Sequence, residues 1–320
     1  MIATAPGKLI LAGEYAVLDG AQALVIAVDR RVTARHAASE LRGSSAFLLA
    51  LADELAARGR AESARIAMEI AVDSSSFYSG NHKLGLGSSA AVTVAATALV
   101  LATEPSDPAL IHEIAAAAHA RAQAPRGTRG SGADIAAAVH GGTIAFTPRA
   151  DSPAGIVAQR SWPSGVEMIP FFTGASADTP ALVAQVAAAR AVARVAVDAA
   201  LTAIADASRA ACEAAALRDA QLAATAMIAA LALAAAGLDR LELATGVALV
   251  PDRVKAARRR LAPLGGTAKT TGAGGGDVAI AVIPGTEDGT AVRRYLIELG
   301  CVPLTLSVDP TGVDLRPDAQ

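Results

Sequence analysis

Apolar positions along the chain switch between a period of two and a period near 3.6, and the switches mark out the expected elements. Residues 8–18 read as a strand leading into a Gly-containing turn, and 24–32 as a second strand after the Asp19-Gly20 turn signal. Phe47, Leu48, Leu51 and Leu55 fall on one side of a helix predicted over 45–60, whereas Ile66, Met68 and Ile70 alternate and predict a strand over 64–72. A polar loop, 73–83, precedes an apolar helix expected from Ser88 to about Thr103. Asp107 has the chemistry of an N-cap for a helix over 108–122, and a short helix is expected over 133–139. Gly141-Gly142 then breaks to a strand over 143–147, and 149–153 is turn-rich. Beyond it come a strand over 166–173, two or three helices between 180 and 236, and a helix over 253–261. A strand over 277–283, a helix over 290–299 and a last strand over 302–308 complete the chain. Strands and helices mixed without regular βαβ alternation predict an α+β fold.

Composition sharpens this picture in a few places. With 53% hydrophobic and 18% charged residues, the 320-residue chain can bury a substantial core; with 3% aromatics, that core must be Ala, Val, Leu and Ile. A net charge of −2 argues against a general nucleic-acid or anionic-membrane surface. Cys212 and Cys301 fit no metal spacing and are expected as buried thiols. Residues 1–8 lack the basic-then-apolar order of a signal peptide, and alanine-rich runs such as 222–236 are short for a membrane span. A cytoplasmic protein, monomer or homodimer, with small-molecule partners is the expectation.

Three segments carry candidate chemistry. Lys83-Leu84-Gly85-Leu86-Gly87-Ser88-Ser89-Ala90-Ala91 runs straight into an apolar helix. Its glycines allow close backbone approach, its N–H groups can converge on an anion, and Ser88 and Ser89 can cap the helix or offer hydroxyls to phosphate or a cation. Gly130-Ser131-Gly132-Ala133-Asp134 places a carboxylate just inside a helix start, fit either to meet a substrate hydroxyl or to complement the helix dipole. Thr270-Thr271-Gly272-Ala273-Gly274-Gly275-Gly276-Asp277 sets a glycine run before a buried strand, an entropic cost that close approach to a ligand would explain. Neither a P-loop nor a Rossmann spacing is present.

Taken with Pro6-Gly7-Lys8-x-x-Leu11-x-Gly13-Glu14-Tyr15, the first and third of these resemble, in order and separation, the three signature motifs of the GHMP kinases. The Gly-Glu-Tyr-Ala-Val wording, Gly-Ser-Gly-x-Asp, and Thr173-Gly174-x-x-Ala177-Asp178-Thr179 are more similar to phosphomevalonate kinases than to mevalonate kinases.

That resemblance implies a two-domain GHMP kinase fold: a ribosomal protein S5 domain 2-like N-terminal domain over 1–160 and a ferredoxin-like C-terminal domain over 161–320. It implies ATP and Mg²⁺, with Lys83, Gly85, Leu86, Gly87, Ser88, Ser89 and Ala90 around the phosphates and Ser89 on the metal. Asp134 would be the catalytic carboxylate and Lys8 its charge-stabilising neighbour. Glu14, Tyr15, Arg129, Ser131, Gly132, Thr179, Gly274 and Gly275 would face the acceptor, which the resemblance makes phosphomevalonate, with mevalonate as the alternative. A catalytically silent metabolite sensor is the reading from another class; the presence of both Lys8 and Asp134 speaks against it. Lys83, Arg126, Arg129 and Lys269 are candidate cations for an anionic acceptor, while His82 and His140 receive no catalytic role. Two positions depart from the family: Gln123 stands where mevalonate kinases often carry a metal-binding Glu, and Asp178 replaces the Ser of an Ala-Ser-Thr pattern.

Overall fold

The computed structural model describes residues 1–36, 45–102, 107–126 and 130–318. Two antiparallel sheets organise it. In the first, β1 (Ile2–Ala12) and β2 (Ala23–His36) form a long central pair, and β2 continues to β3 (Ile70–Asp73) at one end and to β6 (Thr143–Thr147) and β7 (Ile156–Arg160) at the other. The last strand of the chain, β12 (Asp314–Arg316), returns to pair with the start of β1. The second sheet has the order β11 (Val302–Pro303), β8 (Val166–Phe172), β10 (Val278–Pro284), β9 (Thr267–Thr270). A two-rung hairpin, β4 (Tyr78–Ser79) and β5 (His82–Lys83), stands before the first Gly-rich loop.

Helices pack against both sheets. Against the first lie α3 (Ser88–Val100) and α5 (Ala133–His140), backed by α4 (Pro108–Gln123), α1 (Ala46–Ala57) and α2 (Ala61–Ala67). Against the second lie α8 (Ala220–Thr245), α9 (Asp252–Leu261) and α10 (Gly289–Glu298). The α6 helix (Thr179–Val192) leads into α7 (Arg194–Ala214), which packs along α8 and also reaches β2, so the α7–α8 pair joins the two sheets. One hydrophobic cluster accordingly contains Leu9 and Ile26 of the first sheet, Ala211 and Met227 of the pair, and Ile280 of the second sheet. By length and composition α8 could cross a membrane, but half of it is buried in the protein core, where Met227, Leu231 and Leu238 face inward.

Local chemistry explains most helix starts. Ser45, Asp107, Asp178, Asp219 and Asp288 each accept a backbone N–H from the first turn of their helix. Asp178 is thereby accounted for as the cap of α6, with Pro180 in its first turn. Helices α3 and α5 differ: each starts at a left-handed glycine, Gly87 or Gly132, that supplies no side-chain cap.

Three sequence expectations are corrected. Residues 61–67 are helical, and only Ile70–Asp73 is strand; Arg65 pairs with Glu62 and Glu69 at helical spacing, which outweighs the short alternation of Ile66, Met68 and Ile70. The strand expected over 302–308 pairs with β8 only through Val302–Pro303, after which the chain crosses to the first sheet, where Val308 bridges Val28. Strands β7, β9 and β12 are additional, as is the β4–β5 hairpin within the loop expected over 73–83. The helix starting at Ser88 ends at Val100, and Thr103 lies outside the described residues.

Candidate active site

The site is assembled from the middle of β1, the N-termini of α3 and α5, and the turn between β9 and β10. Lys8 sits where β1 is irregular, just after a register shift between Pro6 and Gly7. Its backbone N–H donates to the Leu86 carbonyl at 2.8 Å, which ties the Gly-rich loop directly to the strand. Space for that approach requires glycine. A Cβ on Gly7 would meet the Leu86 carbonyl oxygen at 2.9 Å, and one on Gly87, whose φ is +76°, would meet Lys8 Cε at 3.0 Å. Loop 85–87 is therefore moulded around the lysine.

Burial pushes the Lys8 ammonium below its ordinary value, while the charges of Asp134, Asp277 and Glu14, in that order, act against the fall. A desolvated cation held by carboxylates can meet charge that develops nearby without first shedding water. Asp134, in the first turn of α5, accepts the Ile135 N–H at 3.0 Å, and Ser131 Oγ accepts from Ala133 N.

Asp277 was singled out in the sequence only as the end of the third motif. It is half-buried, has a left-handed backbone with φ +54°, and accepts the Ala177 N–H at 3.2 Å. Its carboxylate occupies the space a Gly85 side chain would need. Burial raises its pKa, and the Ala177 N–H, Lys8 and Lys83 pull the other way. The third motif's remaining glycines serve mainly the protein's own packing. Side chains at Gly274, Gly275 and Gly276 would strike the Leu249 carbonyl, Leu182 and the Ala175 carbonyl, whereas Gly272 faces open space. Ligand approach is thus not needed to account for Gly274 and Gly275.

Two acceptor-side expectations change. Glu14 is 1% exposed and forms a fully buried ion pair with Lys269, which also donates to the Thr270 carbonyl at 2.7 Å. Neither residue is available at a surface; they join β1's end to β9 instead. Tyr15, also left-handed with φ +60°, spends its hydroxyl on the Ala273 carbonyl at 2.6 Å, and burial pushes its phenol well up. This bond clasps the first motif to the third. Thr179 is exposed at the start of α6, and Lys83 is exposed on β5. Arg129 and the Arg126 side chain lie outside what the structure describes.

Ser88 and Ser89 occupy the first two positions of α3 and do not cap it. Ser89 Oγ instead lies 3.2 Å from Nε2 of His119, whose ring stacks on Phe47 with centroids 5.4 Å apart. Gln123, one turn along α4, is 3.4 Å from the same nitrogen and accepts the Gly130 N–H at 2.9 Å. His119 was not among the sequence candidates; the signal was its i, i+4 relation to Gln123 on a helix preceding the Asp134 loop. Beside it opens a cavity of about 350 Å³, lined by Asp19, His119, Gln123, Ser131, Gly132 and Arg149 among others. Among the described residues, no three His, Cys, Asp or Glu side chains gather as a metal cage.

Residues 214–300 match the family model for the GHMP kinases C terminal domain. Over the whole chain, a search of solved structures finds Streptococcus pneumoniae phosphomevalonate kinase in complex with phosphomevalonate and AMPPNP, at TM-score 0.77 and 20% identity, covering 96% of this chain and 99% of that one. The fold is that of the GHMP kinases. Mevalonate kinase from L. major in complex with R-mevalonate shares the GHMP fold at TM-score 0.64 and 16% identity, covering 97% and 96% of the two chains. Among curated proteins, a phosphomevalonate kinase of Streptomyces sp. (strain CL190) is 27% identical, with 97% of each chain aligned. All three motifs thus lie in a chain whose mixed α and β architecture is the GHMP kinase one, with motif one on β1, motif two at the head of α3 and motif three between β9 and β10.

Proposed function

We propose that the protein is an ATP-dependent kinase that transfers the γ-phosphate to phosphomevalonate. The observation that carries this reading is the Lys8 side chain packed against Gly87 of the Gly85–Ser89 loop, with Asp134 as its first electrostatic partner. Phosphoryl transfer asks mostly for positioning and charge neutralisation, and this cluster offers both. The loop's N–H groups and the uncapped start of α3 would hold the phosphates. Asp134 would accept or orient the acceptor hydroxyl's proton, while Lys8 balances charge on the transferring group. The Ser89 hydroxyl is the oxygen that would be offered to Mg²⁺, which would supply charge neutralisation at the phosphates when bound with the nucleotide. A hydroxyl with no carboxylate cage suits an ion that keeps waters and phosphate oxygens in its shell. The cavity beside Ser131 and Gly132 would take the acceptor. The acceptor assignment follows the phosphomevalonate kinase similarity and the motif wording.

Mevalonate is the second acceptor to test, because Lys269 is withdrawn into its pair with Glu14 and the described cations near the motifs are fewer than the sequence suggested. ADP release with Mg-ATP is measured against phosphomevalonate, mevalonate, homoserine, galactose and no acceptor. Turnover with phosphomevalonate alone is the expected result. Turnover with mevalonate alone would replace the acceptor, and binding of ATP without any turnover would favour the sensor reading.

A further inference from the structure

The hydrogen-bond chain from Gly130 to Ser89 fixes the place of a proton on His119. The Gly130 N–H can only donate, so the Gln123 atom facing it at 2.9 Å is the carbonyl oxygen. The amide nitrogen then faces His119 Nε2 at 3.4 Å and can only donate to it. An Nε2–H on the imidazole would oppose that donor, so Nε2 carries no proton and the ring is the Nδ1–H tautomer. Ser89 Oγ, 3.2 Å from the same Nε2 and nearer than the amide, then donates its hydroxyl proton to the ring, sharing that nitrogen's one lone pair with the longer Gln123 contact. Both oxygen lone pairs of Ser89 are then turned away from His119. The ring is itself held: it is 3% exposed and stacked on Phe47 at an interplanar angle of 18°.

We propose that His119 is a positioning residue that, with its tautomer set by Gln123, aims the Ser89 hydroxyl as a pure acceptor toward a nucleotide-bound divalent cation. In its cation half this rests on the kinase reading above; in its tautomer half it does not. The arrangement also gives Gln123 a use different from a metal-binding carboxylate at that position: it orients the ligand's orienter and pins the loop that carries Asp134.

Two substitutions separate aim from architecture. His119→Phe keeps the volume and the stack on Phe47 but removes the acceptor; His119→Gln keeps a carbonyl oxygen near the place of Nε2. Calorimetry with AMPPNP, with and without Mg²⁺, reads how much the cation strengthens nucleotide binding. In His119→Phe that strengthening is expected to fall about tenfold, the worth of one lost hydrogen bond, with metal-free affinity unchanged. In His119→Gln it is expected to stay within about threefold of the parent. Equal losses with and without Mg²⁺, or no loss, overturn the aiming role. Independently, ¹⁵N spectra of the ligand-free protein at mildly alkaline pH, with the His119 signal assigned through the variants, are expected to show an unprotonated Nε2. A protonated Nε2 overturns the proposal even if the kinase reading stands. Absence of nucleotide binding in the parent, beside an unprotonated Nε2, would instead remove the kinase reading and with it the cation half.

Discussion

Lys269→Met leaves Glu14 as a buried carboxylate without its cation, and the cost can be worked from the site. Both side chains have no exposed surface, and Glu14 Oε2 has no hydrogen-bond partner among the described residues. Glu14 therefore depends on the Lys269 ammonium for its neutralisation. Removing one member of such a pair costs about 3–5 kcal/mol, because the survivor stays charged in a low-dielectric interior. Replacing both, as Glu14→Gln with Lys269→Met, exchanges the pair for a neutral amide and a thioether and should recover at least half of that loss. Urea unfolding followed by Trp162, the single tryptophan, suits the measurement, since its indole donates to the Val166 carbonyl at 2.9 Å at the head of the second sheet. The expected result is a large midpoint shift for Lys269→Met at unchanged slope, and a smaller shift for the double variant. A single-variant loss under about 1 kcal/mol, or a double variant as unstable as the sum of the singles, would refute the reasoning.

The depressed Lys8 pKa sets a sign for activity: the cation is lost as pH rises, so the alkaline limb of turnover should lie below the ordinary lysine value of 10.5. Asp277→Asn removes one of the charges supporting Lys8, so that limb should move to lower pH; an unchanged or upward-shifted limb counts against the assignment. Gly312→Ala combines a left-handed φ of +67° with a Cβ directed at the Val139 carbonyl, and should cost about 2 kcal/mol or more in denaturant unfolding. His112, 3.0 Å from His140, is held down to about 4 by burial first and by His140 second. Because its folded pKa lies below the unfolded one, stability is complete above about 6.5 and falls as pH drops toward 4, by about 3 kcal/mol over the window. His112→Phe should flatten that part of the stability profile, and an unaltered slope between those pH values would refute the attribution.

What the sequence made legible was chemistry that acts over a few residues. Asp107 followed by proline announced the start of α4, and the glycines around Leu86 announced a loop that something approaches closely. That something includes Lys8 and Asp277 of the protein itself, which no local pattern could say. The Glu14–Lys269 pair spans 255 positions; Glu14 was expected to face the acceptor and Lys269 to offer it a cation, because burial depends on the meeting of β1 with β9. The short helix α2 was misread because seven residues hold too few turns for periodicity to decide between helix and strand. Strand β12 has three residues and owes its place to β1, so nothing within Asp314–Arg316 marks it.

The return of β12 to β1 also has a consequence for biosynthesis. Strand β1 carries the central lysine, yet β12, its neighbour on one side, is translated long after it. Arg31 of β2 likewise waits for its ion-pair partner Asp309 and for the Gly312 carbonyl, which accepts from its guanidinium at 2.5 Å. While the second half emerges from the ribosome, the nascent first sheet has an open edge, and open edges invite pairing with other chains. Completion of that sheet therefore falls to the segment that carries β12, and a chain that stops before it exposes the same β1 edge that β12 covers.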